Sequence, residues 1–63
     1  NMFNEALLDI EHAIKLKPDR DELYINKGIA YINMGNKIEA RRALLRAVVM
    51  GNSDAQTYIN DYC

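Results

Sequence analysis

The chain has 63 residues, 49% apolar and 27% charged, with a formal net charge of −1. That is a globular composition, and its charge balance gives no electrostatic basis for holding nucleic acid or an anionic membrane. A chain this short buries only ~60% of its unfolded surface, so one small domain with a marginal core is the upper bound.

In chain order, the opening Asn1-Met2-Phe3 reads as the cut end of a longer protein. The stretch to Ile14 carries Glu5, Asp9 and Glu11 without a basic leader region, which is not a signal peptide. Phe3, Ala6, Leu7, Ile10, Ala13, Ile14 and Leu16 recur near a period of 3.6, predicting a first helix from about Met2 to Lys17. Pro18 follows, then Asp19 with Glu22 three residues on. That pattern of a side-chain acceptor followed by a carboxylate predicts an N-cap and a second helix from about Arg20 to Met34. Gly35 occupies the position after a helix end where the left-handed region is required. Asn36 with Glu39 then opens a third helix over about Lys37 to Met50, in which Ala40, Ala43, Leu44, Ala47 and Val48 keep the helical period. Gly51 repeats the stop. Ser53 with Gln56 opens a fourth helix from about Asp54 onward. No stretch alternates at period two, so the fold class is all-α with four helices.

The expected caps Asp19, Asn36 and Ser53 lie 17 residues apart, twice over. Two such helices make a period of 34. Shifted by that period, Glu5-Ala6 falls on Glu39-Ala40, Ala13 on Ala47, and Tyr24-Ile25-Asn26 on Tyr58-Ile59-Asn60. Recurrence at this length marks stacked helical hairpins.

The segment Tyr24-x-x-Lys27-Gly28-x-x-Tyr31, followed by Ala40-x-x-x-Leu44 and Ala47, resembles the tetratricopeptide repeat family, whose pattern is W-x-x-L-G-x-x-Y, A-x-x-x-F and then P. The preceding Ala6-x-x-x-Ile10, Ala13 and Pro18 match the second half of that pattern. The resemblance implies antiparallel helical hairpins stacked as a right-handed superhelix. It also implies a division into a second-helix half repeat (1–18), a complete repeat (21–54) and a first-helix half or capping helix (55–63). Three positions depart from the pattern. Lys27 stands in place of leucine, with its stem packed and its ammonium toward water. Asn52 stands in place of proline, which is expected to loosen the turn into the fourth helix. Tyr62 stands in place of glycine, which suits a closing helix and a natural C-terminus.

Independently of any family, Gly28, Ala40 and Ala47 read as small residues at helix–helix contacts, where a missing side chain lets axes approach to about 8–10 Å. Tyr24, Gly28 and Tyr31 are expected to face the third helix, and Leu23, Ala30 and Met34 other neighbours. The remaining stripe is Glu22, Ile25, Asn26, Ile29, Ile32 and Asn33, with the isoleucines at i, i+4 and i+7. Because the resemblance places the first helix of each pair on the concave side, this stripe is the expected partner seat, extended by Ile59 and Asn60. Isoleucines would anchor and amides would hold a partner's backbone. The competing reading is that they pack against a further repeat or another copy.

The expected function is a protein-interaction module that binds a peptide or helix of a partner, without catalysis or cofactor. The alternative is a structural segment of a longer array acting in self-association, with Phe3, Leu7 and Ile14 available to a homo-oligomer. Lys37, Arg41, Arg42 and Arg46 against a lone Glu39 read as a solvated outer face, or as partners of Glu5, Asp9 and Glu11. With no aromatic interleaved, they do not read as a nucleic-acid patch. His12 has no ligand set around it, and Cys63, the one cysteine, has no partner for a disulfide within the chain. No apolar run reaches the ~20 residues of a membrane span. No targeting segment is visible, which leaves a cytoplasmic location as the default expectation.

Overall fold

The computed structural model describes residues 2–63 and consists of four α-helices, α1 (Met2–Leu16), α2 (Asp21–Asn33), α3 (Lys37–Val49) and α4 (Ser53–Tyr62), with no strand among the described residues. The expected ends hold to within one residue.

The two glycine turns are built alike. Gly35 (φ 78°) and Gly51 (φ 99°) take the left-handed conformation just past Met34 and Met50. The Gly35 N–H donates to the Ile32 carbonyl and the Asn36 N–H to that of Tyr31; Gly51 and Asn52 donate in the same way to Val48 and Ala47. These are Schellman closures, which satisfy carbonyls that the helix end would leave open. Each asparagine then works twice. Its backbone closes one helix while its side chain caps the next, Asn36 Oδ1 accepting from Glu39 N–H at 3.3 Å and Asn52 Oδ1 from Asp54 N–H at 2.9 Å.

Two expected caps are corrected. Ser53 is the first helical residue and Asn52 is the cap of α4. At α2 the cap residue is Arg20, which supplies no side-chain acceptor. Asp19 lies one residue too early, inside a turn closed by the Arg20 N–H on the Lys17 carbonyl. The true caps Arg20, Asn36 and Asn52 therefore stand 16 residues apart, one fewer than expected.

α2 packs between α1 and α3, and α3 between α2 and α4. The Cα envelope measures 27 × 26 × 14 Å. Two helix axes about 9 Å apart, with a backbone radius of about 2.3 Å on each side, give that smallest dimension. The molecule is thus a two-layer slab, α1 and α3 in one layer and α2 and α4 in the other.

The core lies around α3. Leu44, Ala40, Ala47 and Ala55 are fully buried, joined by Ala30, Ala43 and Ile59. The expected small-residue seam is present. A Cβ on Gly28 would lie 2.6 Å from Leu44 Cγ and 3.3 Å from the Ala40 carbonyl oxygen, so only glycine admits the leucine at this helix spacing. α1, by contrast, has no buried residue. It is held by half-buried Leu7, Ile10, Ala13 and Ile14, and by an ion pair between Glu11 and Lys27 Nζ at 3.3 Å. Lys27 therefore binds a partner on α1 as well as reaching toward water. Met34, expected at a helix contact, is exposed at the end of α2.

Candidate partner-binding surface

α2 enters the functional reading because it is contacted on two sides and leaves a groove along each. Its residues divide between the core and these grooves by their angular position on the helix, at 100° per residue.

The first groove lies between α2 and α4. Ile29, Ile32 and Asn33 of α2 face Tyr58 and Tyr62 of α4 across about 260 Å³. The two tyrosines are one turn apart, and their rings stack with centroids 6.2 Å apart and planes at 25°. Such offset pairs contribute about 0.5–1.5 kcal/mol beyond their buried area, which steadies an aromatic wall on the last two turns of a short helix. Tyr62 is half exposed, so the wall stays open to solvent at its end. The floor is the core itself, because Ile32 and Tyr58 also lean on Leu44, Ala47, Ala55 and Ile59.

The second groove, of about 270 Å³, runs between the end of α1 and the start of α2. It is lined by Ala13, Leu16, Lys17, Arg20, Glu22, Leu23 and Asn26. Its apolar part comes from three aliphatic residues and its rim carries both signs of charge.

The stripe expected to form one seat is therefore split. Ile29, Ile32 and Asn33 reach the α2–α4 groove, whereas Glu22 and Asn26 line the α1–α2 groove. Ile25 packs against the core, and Ile59, expected to extend the seat, is buried in it. The reason is the position of α4, whose Ala55 and Ile59 sit against Leu44 and draw Ile25 inward. Asn60 is exposed, and its Oδ1 accepts a hydrogen bond from Gln56 Nε2 at 3.1 Å. Tyr58 and Tyr62 are groove residues that the repeat pattern hides, since it assigns one to packing and the other to a cap. Their spacing of four residues on an exposed turn is the signal that finds them.

Asn52, expected to loosen its turn, ties the molecule together instead. Its Nδ2 donates to Asp21 Oδ2 at 2.9 Å, joining the α3–α4 turn to the start of α2. The α3 cations are only partly solvated. The Arg46 guanidinium sits 5.8 Å from the Tyr24 ring centroid, and Arg42 pairs with Glu39 at 3.3 Å. Among the described residues no three histidine, cysteine or acidic groups come together to hold a metal, and no helix is long and apolar enough to cross a membrane.

A family model described as tetratricopeptide repeat matches residues 21–48, which takes in α2 and all but the last residue of α3. No curated protein and no solved structure gave a significant match.

Proposed function

Residues 21–48 of this chain are a tetratricopeptide repeat, and from that premise we propose that the α2–α4 groove seats an apolar side chain of a partner peptide or helix. A repeat of this kind is a protein-interaction scaffold, and the fold supplies what such a role needs: a rigid framework with a groove on one face. The reading rests on one observation, the convergence of Ile29, Ile32, Asn33, Tyr58 and Tyr62 on a single groove.

The groove's chemistry suits an anchor. Its volume of about 260 Å³ falls below the ~300–1,000 Å³ of small-molecule sites and matches one or two large side chains. Isoleucines and tyrosine rings favour an aliphatic or aromatic anchor, as at the centre of most interfaces. Asn33 at the edge offers both a donor and an acceptor to a partner's backbone. Ile25 and Ile59 support this seat from beneath.

The test is capture of partner proteins by the immobilised chain, followed by titration of the captured partner. Ile29→Glu places a carboxylate in the groove without touching the Gly28–Leu44 seam. It is expected to weaken binding at least tenfold while the helical circular dichroism stays unchanged. Equal affinity for Ile29→Glu and for Tyr62→Ala would overturn the assignment of the groove.

A further inference from the structure

We propose that the partner segment seated in the α2–α4 groove is basic: beside its apolar anchor it carries an arginine, whose guanidinium lies against the Tyr58–Tyr62 wall and pairs with Asp61. This rests on the reading of the groove as a partner seat and names the chemistry of what the seat takes.

The first observation is where the groove lies along its helices. Successive helices joined by turns of a few residues run antiparallel, so α2 and α4 run the same way. The groove residues Ile29, Ile32 and Asn33 of α2, and Tyr58 and Tyr62 of α4, all belong to the C-terminal halves of their helices. The groove therefore opens between two carbonyl ends, each carrying a partial negative charge. A base in the last turn balances such an end, as Lys15 does in α1 and Arg46 in α3. α2 and α4 have no base there. A cation supplied by a partner would meet both ends at once.

The second observation is which charges the fold has already matched. α2 and α4 carry four acids, Asp21, Glu22, Asp54 and Asp61, against one base, Lys27. Lys27 is taken by Glu11 of α1, Asp21 accepts from Asn52, and Glu22 shares the α1–α2 groove with Lys17 and Arg20. Asp54 and Asp61 remain, both exposed and neither in an ion pair among the described residues. At 100° per residue they lie about 40° and 60° round α4 from Tyr58, on the side away from buried Ile59. They thus form the outer rim of the tyrosine wall. Among the described residues no cation lines the groove. Of the α3 bases, Arg42 pairs with Glu39, Arg46 lies over Tyr24, and Lys37 and Arg41 pair with neither aspartate.

The third observation is the wall itself. Tyrosine faces attract a guanidinium through the ring quadrupole. The chain makes this contact internally, with Arg46 at 5.8 Å from the Tyr24 ring centroid. Tyr58 stands one 34-residue period after Tyr24, and among the described residues no cation lies over Tyr58 or Tyr62. Arginine suits this corner better than lysine. Its planar group stacks on a ring while its N–H fork meets a carboxylate.

The test titrates the isotope-labelled 63-residue chain with capped synthetic peptides of about twelve residues, each with one leucine in an alanine–serine background, followed by nuclear magnetic resonance. One series places an arginine up to about four positions from the leucine, and matched peptides carry glutamine or glutamate there. The arginine peptides are expected to shift the amide signals of Ile29, Ile32, Asn33, Tyr58 and Tyr62. The best of them should bind about fivefold more tightly than its glutamine match, with the glutamate match weaker still. High salt should shrink that margin. Asp61→Asn should narrow it, and Asp61→Lys should reverse it in favour of the glutamate peptide; circular dichroism checks that the helices persist. Equal binding of the arginine and glutamine peptides, or a preference for arginine that Asp61→Lys leaves intact, overturns the proposal and leaves the groove reading standing. Binding that ignores the leucine, or shifts that map away from the groove, overturns both. Failure of every peptide to bind at about 1 mM overturns this proposal, while partner capture by Ile29→Glu decides the groove reading separately.

Discussion

At Gly28 two preferences oppose each other at a single carbon. Inside an exposed helix, replacing glycine by alanine adds about 1 kcal/mol of stability through reduced chain entropy. Here the added methyl would lie 2.6 Å from Leu44 Cγ and 2.8 Å from its Cδ2, and Leu44 has no exposed surface toward which to move. Overpacking of this kind costs about 1–3 kcal/mol, so the packing loss wins. Gly28→Ala is expected to lower stability in a urea titration despite its better helix propensity; a raised midpoint would show that the seam is slack. Asn52 illustrates the same local economy with opposite sign. One side chain caps α4 and bridges to Asp21, so the residue that replaces the family's proline closes its corner by hydrogen bonds where a ring would have done so by restricting φ.

Among the elements, α1 has the weakest hold and α2 the weakest start. α2 begins at Arg20 without a side-chain acceptor, although the backbone there (φ −89°, ψ 103°) is already in the extended conformation that a cap residue adopts. Arg20→Ser supplies the missing acceptor for the first-turn N–H groups and is expected to stabilise the chain by about 1 kcal/mol. In a domain this small that corresponds to a rise in melting temperature of about 4–8 °C. An unchanged melting temperature would mean that the Asp21 carboxylate, which already accepts from the Glu22 N–H at 3.0 Å, answers the need. α1 packs chiefly on α2 and buries no residue completely, whereas α3 is enclosed by two helices. Its cohesion rests on half-buried aliphatics and the partly exposed Glu11–Lys27 pair, and pairs of that kind contribute little in water.

For the whole molecule the decisive fact is that α3 is central and α4 is its lid. Ala55 and Ile59 of α4 complete the cluster with Leu44 and Ala47. Deleting residues 53–63 would uncover that cluster and remove one wall of the groove. The truncated chain is therefore expected to lose its cooperative thermal transition, followed by circular dichroism, rather than merely to melt a few degrees lower. A sharp transition in the truncated chain would show that α1 to α3 form an independent unit.

The helices, their order and both glycine turns were legible in the residues because each is decided within three or four positions: a periodic apolar face, an amide that caps, a glycine that alone takes positive φ at low cost. The Gly28, Ala40, Ala47 seam was legible for a related reason, since small residues inside helices have few uses besides close packing. The candidate site was legible only in part. Ile29, Ile32 and Asn33 could be assigned to an open face of α2, but Ile25 and Ile59 could not be told from them by period. All of these lie on apolar arcs, and which arc is covered depends on where a helix more than 20 residues away comes to rest. The bond between Asn52 and Asp21 and the groove walls of Tyr58 and Tyr62 are of the same kind. Sequence alone thus determined what is settled by neighbours along the chain. Burial sums contacts from every direction, so only the tertiary structure decided which isoleucines are core and which line the α2–α4 groove.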